Sequence, residues 1–123
     1  MNSEAVQAIV ARELAAWQPP VTESGAMHGI PWAAEQYAPK VERLRASLVT
    51  PYKQRFTLRE YDDPERRHAV GEAEYWVVAV TDGMYLWYDE TTGDFGVGEP
   101  DTNAAFPTSI GLRGDIVGSF CAW

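Results

Sequence analysis

Two histidines and one cysteine are the first candidates for chemistry in this sequence. His28 and His68 fall in separate predicted loops, and Cys121 lies third from the end. A cysteine beside a histidine base can act as a nucleophile, and zinc needs four clustered ligands, or three and a water. No glycine-framed cysteine or oxyanion-loop motif accompanies these residues, and they make a poor zinc ligand set. The sequence therefore predicts no catalytic residue, no metal ion and no cofactor.

Carboxylates are more numerous, but their spacing matches no known catalytic or calcium site. The segment "DETTGD", Asp89 to Asp94, gathers three acids around a glycine, whereas an EF-hand loop needs acids at alternate positions and a distal glutamate. A carboxylate pair can serve a glycosidase, yet with so many acids here one close pair is unsurprising. "GVGEP" lacks the lysine and the following helix of a phosphate loop. A solvated hairpin turn is the favoured interpretation of residues 89–94.

Charge is distributed unevenly along the chain. The 123 residues carry a net charge of −8, and no lysine or arginine occurs between Arg67 and Arg113. The same interval holds Glu72, Glu74, Asp82, Asp89, Glu90, Asp94, Glu99 and Asp101. Acids at turns keep a protein soluble, but an acidic surface also attracts cationic proteins and repels nucleic acid and anionic membranes. The distribution favours a cationic protein partner over a nucleic acid or a membrane.

Aromatic residues crowd two adjacent predicted strands. Strand alternation places Tyr85 and Trp87 on one face, and Met84, Leu86 and Tyr88 on the other. One interpretation is a central hairpin covered on both sides. The other is an aromatic contact surface rimmed by acids, since tyrosine and tryptophan are typical interface anchors.

Helical periodicity marks the N-terminal part of the chain. Apolar residues recur at helical spacing over residues 3–17, where Ser3 is the predicted N-cap. A second helix is predicted over residues 32–48, with a kink or break at Pro39. The segment "TPY", residues 50–52, is predicted to close it.

Strands dominate the rest of the chain. Alternation and glycine turns predict strands at 53–61, 73–81, 84–89 and 94–97. A last helix is predicted over residues 110–121, capped by Thr108 or Ser109. This order indicates a single α+β domain over residues 1–123, an antiparallel meander of three to five strands with two N-terminal helices and a C-terminal helix packed on it. The lone cysteine and the absence of a basic, apolar leader predict a cytoplasmic location.

The segment "YWVVAVTDGMYLWYDETTGDFGVG" resembles the sheet hairpins of bacterial immunity proteins of polymorphic toxin systems, including the SMI1/KNR4-like group. In those proteins a strand, a DG turn, an aromatic strand ending in Asp and a TG turn recur. The resemblance covers about a fifth of the chain, and the Leu-Pro segment and aromatic-rich helix of the SMI1/KNR4 pattern are absent. It implies a small, acidic, non-catalytic protein that binds and occludes a toxin domain, often a basic nuclease.

The leading hypothesis is thus an immunity or inhibitor protein that binds a cationic toxin stoichiometrically. Tyr85 and Trp87 are the expected anchors, and the expected charged rim comprises Asp82, Asp89, Glu90, Asp94, Glu99 and Asp101. The alternative is a small enzyme or ligand-binding domain with a pocket between helices and sheet, marked by His28 or His68 beside a carboxylate. A self-assembling homodimer that uses the aromatic strands is a third interpretation, so both a monomer and a homodimer are left open.

Overall fold

The computed structural model describes residues 1–18, 34–59, 69–102 and 105–121. In chain order the elements are α1 (Ser3–Ala16), α2 (Ala34–Ser47), β1 (Leu48–Arg59), β2 (Ala69–Thr81), β3 (Met84–Tyr88), β4 (Phe95–Glu99), β5 (Thr108–Gly114) and α3 (Ile116–Cys121). The α+β class is confirmed. None of these helices is long and apolar enough to cross a membrane, since the longest have 14 residues.

The five described strands form a closed barrel in the order β1-β2-β3-β4-β5. Consecutive strands pair antiparallel, as predicted. Strands one and five of such a meander must run in the same direction, so the barrel closes through a parallel pair, with Thr57 opposite Thr108 and Leu58 opposite Ser109. The sheet is therefore mixed, and the prediction of a purely antiparallel meander was wrong at the closing pair.

Strand β5 replaces the first part of the predicted C-terminal helix. Residues 108–114 pair with β4, with Gly98 opposite Ser109 and Gly96 opposite Arg113. Thr108 and Ser109 are buried in this strand and do not cap a helix. The cap of α3 is Asp115 instead, whose Oδ2 accepts a hydrogen bond from the Gly118 amide at 3.1 Å.

The two N-terminal helices form near their predicted positions. Asn2, not Ser3, caps α1, because its Oδ1 accepts from the Ala5 amide at 2.9 Å. The Ser3 hydroxyl instead donates to the Pro51 carbonyl at 2.7 Å and ties α1 to β1. Helix α2 is continuous through Pro39 and leads directly into β1, so residues 50–52 belong to the strand.

Two apolar clusters lie on the two faces of the sheet. The outer cluster joins the helices to the sheet and includes Val6, Val10, Leu14, Leu44, Trp76, Val78, Met84, Leu86, Tyr88, Phe95, Val97, Ile116, Val117 and Phe120. The inner cluster fills the barrel with strand residues alone, centred on Phe56, Tyr75, Val77 and Trp87. The predicted division of β3 between two apolar faces is confirmed, because Tyr85 joins the inner cluster and its neighbours join the outer one.

Glycines in β4 make room for the aromatic rings inside the barrel. A Cβ at Gly96 would lie 2.1 Å from Cζ2 of Trp87, and one at Gly98 would lie 2.7 Å from Cε1 of Phe56. Trp87 stacks on Tyr75 with ring centroids 4.1 Å apart and cannot retreat. Any larger residue at position 96 therefore has to displace a packed indole.

We expect Gly96→Ala to lower the free energy of unfolding by about 3 kcal/mol, the upper range for overpacking a core. Gly114→Ala is the matched control, because a Cβ there meets only the Ser119 hydroxyl, at 3.9 Å. Urea unfolding followed by tryptophan fluorescence measures both variants. Equal stability of the two would show that the Trp87 ring is free to move.

Candidate functional site

The predicted acidic rim is divided between the two ends of the β3–β4 hairpin. Tyr88 pairs with Phe95 at the end that carries the acidic turn, which we define as residues 89–94. Tyr85 pairs with Gly98 at the other end, which carries Asp82, Glu99 and Asp101. The five residues of β3 separate the two ends by about 17 Å at the usual strand rise. The six acids therefore do not converge on one surface.

Trp87, one of the two predicted anchors, is part of the barrel interior and cannot contact a partner there. Only 1% of the residue is exposed, because its ring lies between Tyr75 and Gly96. Its indole Nε1 has no hydrogen-bond partner among the described residues. The alternation of β3 correctly gave Trp87 and Tyr85 a common face, but that face points into the barrel.

Arg113 closes the barrel at the end of the acidic turn. Its Nη1 donates to Asp89 Oδ2 at 2.9 Å, and its Nη2 donates to the Tyr75 hydroxyl at 2.7 Å. The guanidinium carbon lies 5.1 Å from the centre of the Trp87 ring, within cation–π range. Asp94 Oδ2 is a second carboxylate, 3.8 Å from Nη1. One arginine thus links the inner aromatic cluster to two acids of the turn.

Asp89 holds the acidic turn together and is not a rim acid. Its Oδ1 accepts from the Thr91 amide at 2.9 Å, and its carbonyl accepts from the Gly93 amide at 2.8 Å. Gly93 has φ +81°, a left-handed conformation that suits glycine. Burial acts to raise the pKa of Asp89, but the hydrogen bonds from Arg113 and the Thr91 amide outweigh burial and leave that pKa below its ordinary value.

A second group of charges surrounds Trp76 on the outer face. The Trp76 Nε1 donates to Glu90 Oε2 at 3.4 Å, and Lys53 Nζ lies 5.3 Å from the Trp76 ring centre. Lys53 is 3.7 Å from Glu90 and 3.6 Å from Glu74. Glu90 is therefore at the surface, as predicted, but it has partners within the chain. Sequence reasoning missed Lys53, whose place opposite Trp76 follows only from strand pairing.

The opposite end of the hairpin exposes apolar and aromatic side chains beside acids. Val80 lies directly opposite Tyr85 and is 39% exposed, and Tyr52 is 40% exposed. Burial, followed by an electrostatic effect of Tyr85, raises the pKa of Tyr52. We call Tyr52, Val80 and Tyr85 the tyrosine surface. Tyr85 itself is half-buried, with its ring edge-on to Phe56 at 6.2 Å.

Acids flank the tyrosine surface on the adjacent turns. Asp82 follows β2, and its side chain is 98% exposed although Arg43 Nη2 lies 3.5 Å away. Glu99 follows Gly98, the residue opposite Tyr85, and Asp101 accepts from the Thr108 hydroxyl at 3.0 Å. Three of the six predicted rim acids, with one of the two predicted anchors, are thus brought together at this end.

The residues considered first for catalysis are divided between described and undescribed parts of the chain. His28 and His68 lie outside the described residues. Cys121 packs against the outer cluster, and burial raises the pKa of its thiol. Within the described ranges no three His, Cys, Asp or Glu side chains are grouped so as to hold a metal ion.

Comparison with protein-family models, with curated proteins and with solved structures finds no match to this chain. The resemblance of its hairpins to immunity proteins therefore stays a prediction.

The Asp89–Arg113 ion pair predicts a dependence of stability on pH. Since the pKa of Asp89 is lower in the folded state than its unfolded value of about 3.9, the carboxylate stabilises the fold above that value and loses this effect as the pH falls through the folded pKa. We expect Asp89→Asn to cost about 2 kcal/mol at pH 7 and to flatten the acid side of the stability curve.

Urea unfolding between pH 2 and pH 7 measures this effect. Asp82→Asn is the control, because that carboxylate is almost fully exposed and exposed ion pairs contribute little to stability. If Asp89→Asn keeps the wild-type slope, the pair with Arg113 does not stabilise the fold.

Proposed function

We propose that this chain is an immunity or inhibitor protein of a bacterial toxin system, and that it neutralises a cationic toxin or effector by stoichiometric binding. The observation that carries the proposal is the tyrosine surface. Tyr52 and Val80 are two of the four large hydrophobic residues that are exposed in the described chain. They accompany Tyr85 at the end of the barrel where Asp82 and Glu99 lie.

The chemistry of this surface suits a basic protein partner. Tyrosine gives a large contact area and retains a polar hydroxyl, so it is enriched at interface centres. Acids around such a centre speed the encounter with a cationic protein and disfavour other partners. A net charge of −8 extends this attraction over the whole chain.

The ion pair between Asp82 and Arg43 is compatible with this use. Both side chains are substantially exposed, and exposed pairs of this kind contribute little to stability. A lysine or arginine of the partner can therefore replace Arg43 at low cost. By contrast, Trp87 and Asp89 are not among the proposed contact residues, because both are buried. Glu90 and Asp94 contribute only to the long-range electrostatic attraction of a cationic partner.

The proposal is tested first by a tagged pull-down from a lysate of the source organism at low and high salt, read by mass spectrometry. We expect one basic protein in a one-to-one complex that salt weakens, and loss of its toxic or enzymatic activity when this chain is added. Capture of no basic protein, or of one whose activity is unaffected, would contradict the inhibitor function.

Variants of the tyrosine surface then locate the contact on the purified pair. Val80→Lys places a cation at the centre of the surface, and we expect it to weaken binding at least tenfold, mainly through faster dissociation. Asp82→Asn with Glu99→Gln should mainly slow association and reduce its dependence on salt.

Glu4→Gln with Glu42→Gln is the matched control, because it removes the same charge from the helices. Thermal melting confirms that each variant folds. Equal slowing by the two double variants would show that only the net charge matters, and normal binding by Val80→Lys would move the interface elsewhere.

A further inference from the structure

A cavity of about 400 Å³ lies between α1, the end of α2 and the start of β1. That volume is within the range of small-molecule sites. Its walls are mainly apolar, with Val10 and Leu14 from α1, Leu48 and Val49 from β1, and Val78 of β2. The site is on the helix-side face of the sheet, whereas the tyrosine surface belongs to the inner face.

An irregularity in β1 creates this cavity. Leu48 pairs with Ala79 and Tyr52 with Val77, so β1 uses two more residues than β2 between these points. Such an insertion bends a strand away from its partner. The Ser3 hydroxyl holds the bent segment at the Pro51 carbonyl, and α1 therefore spans the gap without filling it.

Three polar side chains line the cavity, and only one of them is charged. They belong to Gln7 of α1, Thr50 of β1 and Arg45, which lies in the last turn of α2. Arg45 and Arg12 form no ion pair with an acid of the described chain, whereas Arg43, Lys53, Arg55 and Arg113 do. Arg45 is an exposed residue, and it is the one cation among the described residues that line this cavity.

We propose that this cavity binds a small apolar molecule with a single carboxylate, such as a medium-chain or aryl carboxylic acid. The apolar part would lie against Val10, Leu14 and Val78, and the carboxylate would accept hydrogen bonds from the Arg45 guanidinium, which suits the two carboxylate oxygens. A multiply charged anion such as a phosphate ester is disfavoured, because one arginine cannot balance it against the acidic chain. This site is independent of the proposed toxin binding.

Octanoate is the probe, and 1-octanol is its uncharged counterpart. Titration of ¹⁵N-labelled protein should shift the amides of Val10, Leu14, Val49 and Thr50 saturably. We expect Arg45→Gln to weaken octanoate binding roughly tenfold, the value of one charge-assisted hydrogen bond, and to leave octanol binding unchanged. Ala11→Trp, which puts a large ring into the cavity, should abolish both.

Arg12→Gln is the matched control, since Arg12 is an exposed arginine of α1 that does not line the cavity. Melting curves separate loss of folding from loss of binding. The proposal is overturned if octanoate gives no saturable shifts at these amides, if octanol binds as tightly, or if the two arginine variants lose affinity equally.

Discussion

The contact between Trp87 and the bare backbone of Gly96 is the constraint on which the barrel depends. A five-stranded barrel is narrow, and here its interior is filled by the rings of Phe56, Tyr75 and Trp87. An indole fits beside β4 only because no Cβ is present at position 96. Stacked rings occupy the interior, so another molecule cannot bind inside the barrel.

The uneven charge of the sequence is largely a consequence of how the strands pair. Lys53 and Arg55 on β1 face Glu74 and Glu72 on β2. Arg113 on β5 likewise reaches back to Asp89. Cations of α2, β1 and β5 thus pair with acids of the stretch between Arg67 and Arg113. The charge asymmetry along the chain is thus weaker in space, and the proposed cationic partner is favoured mainly by the acids beside the tyrosine surface.

Local patterns predicted the elements well, and long-range closure was the part they could not predict. Glycine turns and alternation predicted the ends of β3 and β4 to within two residues, and assigned the two faces of β3 correctly. The residues of β5 were assigned to a helix, although Ile110 and Leu112 have the two-residue spacing of a strand. That segment becomes a strand only because it pairs with a strand on each side. The residues opposite Thr108 are Glu99 and Thr57, which lie 9 and 51 residues earlier in the chain.

The candidate site was predictable to the same limited extent. Alternation put Tyr85 and Trp87 on one face, but it carried no information on depth, which depends on the closure of the barrel. Tyr85 lies near the end of the inner face and is half-buried, whereas Trp87, two residues further, is enclosed. Tyr52 and Val80 were not predicted as contact residues, because Tyr52 was placed in the segment that closes the second helix and Val80 in an ordinary strand, and neither pattern indicates the exposure that the structure shows.

The two ends of the barrel have different chemistry. At one end the polar groups bond to each other within the chain, and at the other end apolar side chains are exposed beside acids. At one end the Arg113 guanidinium donates hydrogen bonds to both Asp89 and Tyr75 and lies over the Trp87 ring. The polar groups at this end are therefore bonded to each other within the chain. At the other end Tyr52 and Val80 remain exposed beside Asp82. Exposed aromatic and apolar area costs free energy in water, and a partner that covers it recovers that cost. Among the described residues, this exposed apolar area beside acids is the reason why the proposed partner is placed at the tyrosine end.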